Sequence, residues 1–421
     1  MTQRADELVI TGVGVASAGA YGLEAHWELL RQGTVKANAA AYSMRDFKAA
    51  AHLKEPRLLK AVSATDAIGL AALADVQRTG AWTADAYPAP RTGLYTGSPG
   101  PSSFDLCPYI EAMEAARDGD GSIDEGAFGR TAMSARPTTL LASLANNVLC
   151  YGSMMFNAQG PNSNYISGEL SGHLAVQHAA KRLRRQQLDY VVAGGFGAHS
   201  EAIDTGMYTH LSLLLAEGSE STHTVMPYAG GEDARRGMVL ADGAAFVALE
   251  RRGAATARGA KILATYIGGG IASDGLGPLR SDPEGVAYSR MILRTLTQAD
   301  VDPTQIALIL ANASGIDALD SVEINALQRV FGGLGAAYEP PALGVTTRVF
   351  GNLMEASGII ELGLVSRLFA HGELPAVMTA PASVGFSNRL PSRTPAASYA
   401  LVLKASPWGE YSCILLRRED L

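Results

Sequence analysis

Glu169 is the residue of this chain best placed to do chemistry. It stands in Gly160-Pro161-Asn162-Ser163-Asn164-Tyr165-Ile166-Ser167-Gly168-Glu169-Leu170-Ser171-Gly172, where a strand-like run turns sharply through small residues into a helix beginning near Ser171. The unpaired N–H groups of a helix start favour negative charge at such a turn. A carboxylate there offers general-base chemistry, or it is simply a charge satisfied by the helix amides and paired with Arg348. The structural role is the simpler expectation.

Other chemistry-bearing residues form no constellation. His173 and His178 are five apart on one predicted helix, not the four that put two imidazoles on the same face, and no other histidines make a metal-ligating pattern. Cys107, Cys150 and Cys413 are scattered and read as reduced, mostly buried thiols. Gly12-Val13-Gly14 lacks the third glycine and the later acidic residue of a dinucleotide site. No cofactor and no metal are expected.

The elements that must position Glu169 alternate between strand and helix. Apolar or β-branched runs recur at residues 8–14, 92–97, 190–195 and 244–250, with helical stretches such as 22–31 between them. The style repeats at 262–268, 307–312, 343–347, 400–404 and 413–416, which predicts an α/β layered protein. A charged, glycine-containing link at 251–259 divides the chain into halves at 1–252 and 253–421. Ser171-Gly172-His173-Leu174-Ala175-Val176 and Ser357-Gly358-Ile359-Ile360-Glu361-Leu362 open helices at comparable points of the two halves. Their almost wholly apolar bodies predict a buried central helical layer between two sheets.

With 421 residues, 47% of them hydrophobic, the chain can bury a large core. A net charge of −7 leaves no basic footprint for nucleic acid or anionic lipid. No apolar run approaches the ~18 residues of a membrane helix, and the N-terminus leads straight into a strand pattern, so a cytoplasmic location is expected.

Leu8-Val9-Ile10-Thr11-Gly12-Val13-Gly14-Val15-Ala16-Ser17 resembles the opening strand of the β-ketoacyl synthase family. Val191-Val192-Ala193-Gly194-Gly195 resembles the strand and loop after that family's nucleophile helix, and the segment from Pro227-Tyr228 to Ala245 resembles the one ending in its Gly-Glu-Gly-Ala-Gly run. The resemblance spans essentially the whole chain. It implies a thiolase-like, layered α-β-α-β-α fold of two pseudo-symmetric halves.

It also implies what is missing. Glu169 stands where the family has its nucleophilic cysteine, whose thiolate takes up the acyl chain. Ser314, in Ala313-Ser314-Gly315, takes the place of the first catalytic histidine, and Asn352, in Gly351-Asn352-Leu353, that of the second. Thr347 or Arg348 replaces the anchoring lysine, and the glycine-phenylalanine gate loop gives way to residues 406–412. Such coordinated loss resembles the chain-length factors, the non-condensing ketosynthase-β subunits of type II polyketide systems, with the aryl polyene branch as a lead.

Chain-length factors commonly carry glutamine at the cysteine position, so Glu169 departs from that pattern. Two alternatives follow: a malonyl-carrier decarboxylase, against which an ionised Glu169 would repel the malonyl carboxylate, and a hydrolase using Glu169 as base with Ser314 or Asn352 as donors. On the favoured reading the partners are an active ketosynthase, in a heterodimer, and acyl carrier protein through that complex. The dimer strand would be roughly residues 157–166. The tunnel wall would lie within 102–116, where Leu106, Tyr109, Ile110 and Met113 share one helix face with Phe104 at its entry; ordinary core packing is the competing reading.

Overall fold

Strand β1, Leu8–Ser17, is buried along its whole length, which is why its sequence reads as an unbroken apolar run rather than an alternating one. The computed structural model describes residues 2–33, 41–83, 85–100, 107–132, 139–214, 227–228, 237–334, 338–390 and 398–419. After β1 come β2 (Ala20–Tyr21), β3 (Ala41–Tyr42), β4 (Thr92–Gly97), β5 (Ser163–Tyr165), β6 (Tyr190–Gly197), β7 (Leu240–Ala241) and β8 (Gly243–Arg251). The second half contributes β9 (Ala264–Ser273), β10 (Ile306–Leu310), β11 (Ala342–Gly344), β12 (Tyr399–Ser406) and β13 (Glu410–Arg418). The helix Arg252–Ala257 connects β8 towards β9.

The pairing order repeats. In the first half β5 runs parallel to β4 and β4 to β6, then β6 pairs antiparallel with β8 and β8 with β1. In the second, β11, β10 and β12 are parallel neighbours, followed by antiparallel β13 and β9. A short antiparallel seam, Leu8–Ile10 against Ala264–Tyr266, joins the halves into one mixed path.

Alternation along the strands builds the layers. Ala245, Val247 and Leu249 of β8 enter the shared central core, while Ala244, Phe246 and Ala248 face the other way, beneath the helix Ala64–Thr79. On β12, Ala400 and Val402 point centrally and Leu401 and Leu403 face the outer helices Val286–Gln298 and Asp317–Phe331. Between the sheets lie two central helices, Ser171–Arg184 and Ser357–His371, giving the α-β-α-β-α succession. Their N-terminal turns touch: a Cβ on Gly172 would lie 2.2 Å from the Glu355 carbonyl oxygen.

Two expected boundaries move. The strand expected over residues 157–166 is only Ser163–Tyr165, because the preceding helix Asn147–Met155 runs almost to Asn157, whose φ of 46° breaks extension. The strand expected to reach Thr347 ends at Gly344, and Thr347 begins a one-turn helix. Cys413 is buried as expected, but Cys150 is exposed. Among the described residues no helix is long and apolar enough to cross a membrane.

Candidate functional site

Three loops converge at the N-terminal ends of the central helices. The first follows β5: Gly168 takes φ +50°, Gly168–Leu170 makes a single 3-10 turn, and the helix starts at Ser171, whose Oγ accepts the Ser167 N–H at 2.7 Å. This turn places Glu169 inside the protein, only 3% exposed, against the turn Met354–Ala356 and the end of β12.

The expected pairing of Glu169 with Arg348 is absent. Glu169 Oε2 is buried without a hydrogen-bond partner, and so is Arg348 Nε. Burial raises the Glu169 carboxyl to about 7, with the Glu355 and Glu410 carboxylates adding to the rise; its own backbone amide and His199 pull the other way. The helix-start amides therefore do not hold Glu169 as an ordinary carboxylate. Arg348 is likewise depressed by burial.

The second loop follows β10 and is braced by Glu323, which accepts N–H groups from Asn312 and Ala313, both at 2.9 Å, and hydroxyls from Tyr288 and Tyr228. Ser314 Oγ donates to Asp320 Oδ1 at 2.9 Å and accepts the Ile316 N–H at 3.1 Å. Asp320, itself pushed up to about 7 by burial and by Glu323, also receives the Gly315 N–H. Ser314 is thus committed to holding its own loop.

Asn352 is committed in the same way. Its Oδ1 accepts from Met354 N–H at 2.9 Å and Ser357 Oγ at 3.1 Å, its Nδ2 lies 2.7 Å from Met238 Sδ, and its N–H bonds the Val239 carbonyl. Thr347 Oγ1 donates to the Ala313 carbonyl and ties the second loop to the third. The structure brings the three segments together, with the Ser314 hydroxyl proton and one of the two Asn352 amide protons engaged inside it.

Charged groups that spacing did not reveal complete the site. His199, after β6, lies between Asp204 (Nδ1 to Oδ2, 3.0 Å) and Glu355 (Nε2 to Oε2, 2.8 Å), all three buried. Burial opposes the imidazolium, yet the two carboxylates outweigh it and hold His199 well above its usual range. Gly197 makes the space, since a Cβ there would meet Glu355 Oε2 at 2.4 Å and His199 Nε2 at 2.5 Å. Beyond it, Lys404 of β12 pairs with Glu361 of the second central helix at 2.9 Å, and Thr346 Oγ1 donates to the same carboxylate. A buried lysine is present after all, supplied by a strand rather than by positions 347 or 348. A lysine within Leu401-Val402-Leu403-Lys404-Ala405 was the signal, because a charge on a strand buried on both faces needs a partner.

The expected tunnel helix is Cys107–Ala115; Phe104 and Leu106 lie outside the described residues. Of residues 109–116, Ala112 and, just past the helix end, Ala116 are buried, whereas Tyr109 and Met113 are half-buried and Ile110 is 49% exposed. Among the described residues of that face, none is fully buried within this chain. Among the described residues no group of three His, Cys, Asp or Glu side chains is arranged to hold a metal.

Residues 5–255 match the beta-ketoacyl synthase N-terminal domain and residues 263–380 the beta-ketoacyl synthase C-terminal domain. The 3-oxoacyl-[acyl-carrier-protein] synthase 2 of Coxiella burnetii is 26% identical over 84% of this chain and 83% of its own length. A type II polyketide synthase acyl carrier protein in complex with its ketosynthase bound to the hexaketide superposes with a TM-score of 0.80 at 18% identity, covering 98% of this chain and 99% of that one. The ishigamide ketosynthase/chain length factor does so with 0.78 at 20%, over the same shares. At these identities the solved structures establish the thiolase-like ketosynthase fold alone. The domain matches go further, and with β1 to β8 and the Glu169 turn inside the first of them, the chain belongs to the beta-ketoacyl synthase family.

Proposed function

We propose that this chain is a non-condensing chain-length factor that pairs with an active ketosynthase and shapes the acyl tunnel at their interface. One observation carries the reading: the residue at the nucleophile turn is a buried carboxyl, while Ser314 and Asn352 are spent on bracing their loops. None of the three can accept an acyl chain as a thiolate does or stabilise a carbanion as histidine does. Residues 1–252 and 253–421 serve as the two halves of one rigid scaffold.

Pairing is supported by the edge of the sheet. Strand β5 ends the strand path, and among the described residues no strand covers its outer side. Exposed apolar residues surround it in the chain, with Ile166 58% and Met154 64% exposed and Leu141, Leu144 and Ile110 about half exposed. A bare edge flanked by such residues suits strand addition by a partner. Acyl carrier protein meets the chain through that complex, and Tyr109, Ile110 and Met113 face the chain path.

A decarboxylating role gains one observation, since a neutral Glu169 no longer repels a malonyl carboxylate. It still lacks the two histidines, replaced by Ser314 and Asn352, that would stabilise the carbanion. The deciding experiment is co-expression with a candidate ketosynthase, isolation of the complex and product analysis, with intact-mass measurement after exposure to acyl carrier protein substrates. The reading expects a heterodimer with the acyl adduct on the partner alone. A stable adduct on this chain overturns it.

A further inference from the structure

The first central helix, Ser171–Arg184, is buried between the sheets except along one stripe. Before its last residue the side chains left uncovered are Leu174, His178, Lys181 and Arg182, and Arg185 at the C-cap continues them. At 3.6 residues per turn these five positions fall within about 100° of arc, on one face. Among the described residues, Lys181, Arg182 and Arg185 make no ion pair: Arg182 donates to Gln187 Oε1 at 2.8 Å, and Asp189, which follows the helix, is taken by Arg91 and Arg251. Arg184 is turned elsewhere, with its guanidinium over the Tyr266 ring. The net charge of −7 hides this strip, because it counts the whole chain and not one face.

The stripe lies beside the open edge of the sheet. The hydroxyl of Tyr165, the last residue of β5, is 2.6 Å from His178 Nδ1, and the two ring centroids are 4.9 Å apart. When a like-folded protein adds its edge strand antiparallel to β5, the two-fold relation brings its corresponding helix alongside this one, under the continued sheet. Pairing of two copies of this chain would therefore set the stripe against itself, three cations facing three. Beneath a sheet such charges are screened less than on open surface.

We infer that Lys181, Arg182 and Arg185 select the partner: they oppose pairing of this chain with itself and fit a like-folded protein that carries carboxylates along the matching helix. This rests on the reading of β5 as the partner-binding edge and names the charge the partner must bring. Lipid and nucleic acid suit the stripe less well, since neither can continue a sheet at the bare strand beside it.

The test needs only the full chain. A variant combining Lys181→Glu, Arg182→Gln and Arg185→Glu reverses the stripe, and isotopically labelled wild type, this variant and their equal mixture are compared by sedimentation velocity and native mass spectrometry. At about 50 mM salt each protein alone is expected to stay monomeric, while the mixture forms mixed dimers at least about tenfold tighter than either self-pair. At about 500 mM salt that preference should largely vanish. Should the reversed variant lack native circular dichroism, Lys181→Gln with Arg185→Gln decides instead, and it must self-associate more than the wild type.

A stable wild-type dimer at low salt, or a mixture no more dimeric than its components, overturns the proposal. So does capture of the wild type by phosphatidylglycerol vesicles without any mixed dimer, which would give the stripe to a membrane. Co-expression keeps the two readings apart. A ketosynthase heterodimer that accepts the reversed charges equally well defeats this proposal alone, whereas absence of any heterodimer defeats the pairing on which it rests.

Discussion

A Cβ on Gly358 would lie 2.1 Å from Nε2 of His173, so the two central helices meet where neither tolerates an added methyl group on the glycine. His173 is fully buried there, its Nδ1 3.0 Å from Ser412 Oγ, and burial, with Lys404 nearby, drives its pKa down to about 3. It is a neutral packing residue. Gly358→Ala should destabilise the protein by about 1–3 kcal/mol despite alanine's better helix propensity. His173→Ala in the same chain should return part of that loss, and urea unfolding of the single and double variants measures it.

Glu169 should make stability depend on pH in a particular window. Its carboxyl is raised from 4.5 to about 7 on folding, so the unfolded chain gives up its proton first as the pH rises. The folded state is unpenalised below 4.5 and loses ground between 4.5 and about 7, by roughly 3 kcal/mol in total. Glu169→Gln should therefore match the wild type at about pH 4 and exceed it by up to roughly that amount at about pH 8. Equal denaturant midpoints at both pH values would contradict this assignment of the carboxyl.

Removal of His199 leaves Asp204 and Glu355 without their shared cation. His199→Gln should cost about 3–5 kcal/mol at neutral pH, the typical result of breaking a buried ion pair from one side. Because the imidazole is raised well above 6.5 on folding, the stabilisation is full below 6.5 and is lost as the pH climbs through the folded value. The thermal gap between wild type and variant should consequently narrow in alkaline buffer, as calorimetry can follow.

Lys404 and Glu361 form the other buried pair. Lys404→Met alone should be strongly destabilising, whereas Lys404→Met combined with Glu361→Gln should recover most of the loss, because the uncompensated charge disappears. A double variant no better than the single one would mean that the lysine matters mainly for packing.

The tunnel assignment predicts a change of product rather than of stability. Tyr109→Ala and Met113→Ala, in a complex with an active ketosynthase, should lengthen the chains released while size exclusion still shows the heterodimer. Tyr109 and Met113 are only half-buried in this chain, so their truncation should cost it little. Unchanged lengths with an intact complex would leave the helix without a role in chain control.

Strands such as β8 and β12 were legible in the sequence because they are buried on both faces and leave apolar runs that no loop would carry. The paired Ser-Gly openings of the central helices were legible for a related reason, since only small residues allow that crossing. Pairing across the chain was not. Arg348 looked like a partner for Glu169 because a cation stood near a vacated lysine position, yet the lysine that pairs comes from Lys404, and Glu169 meets other carboxylates instead. His199 carries no pattern at all, since Asp204 follows it by five residues on a new helix and Glu355 lies 156 residues away. The short β5 failed a different test: extension stops where Asn157 turns left-handed, a backbone event that residue types announce only weakly.

The position of β1 has a consequence for biosynthesis. It leaves the ribosome well before its long neighbour β8, whose Arg251 stands opposite Leu8 about 240 residues later, and before β9, which follows later still; only the two-residue β2 is made at once, against Ala16 and Ser17. At elongation rates of roughly 5–20 residues per second, an apolar ribbon of ten residues waits many seconds with only the two-residue β2 to pair with. The nascent chain should be a demanding client for chaperones, and slowing unproductive encounters by cooler expression should raise the yield of folded protein more than any change to its finished surface.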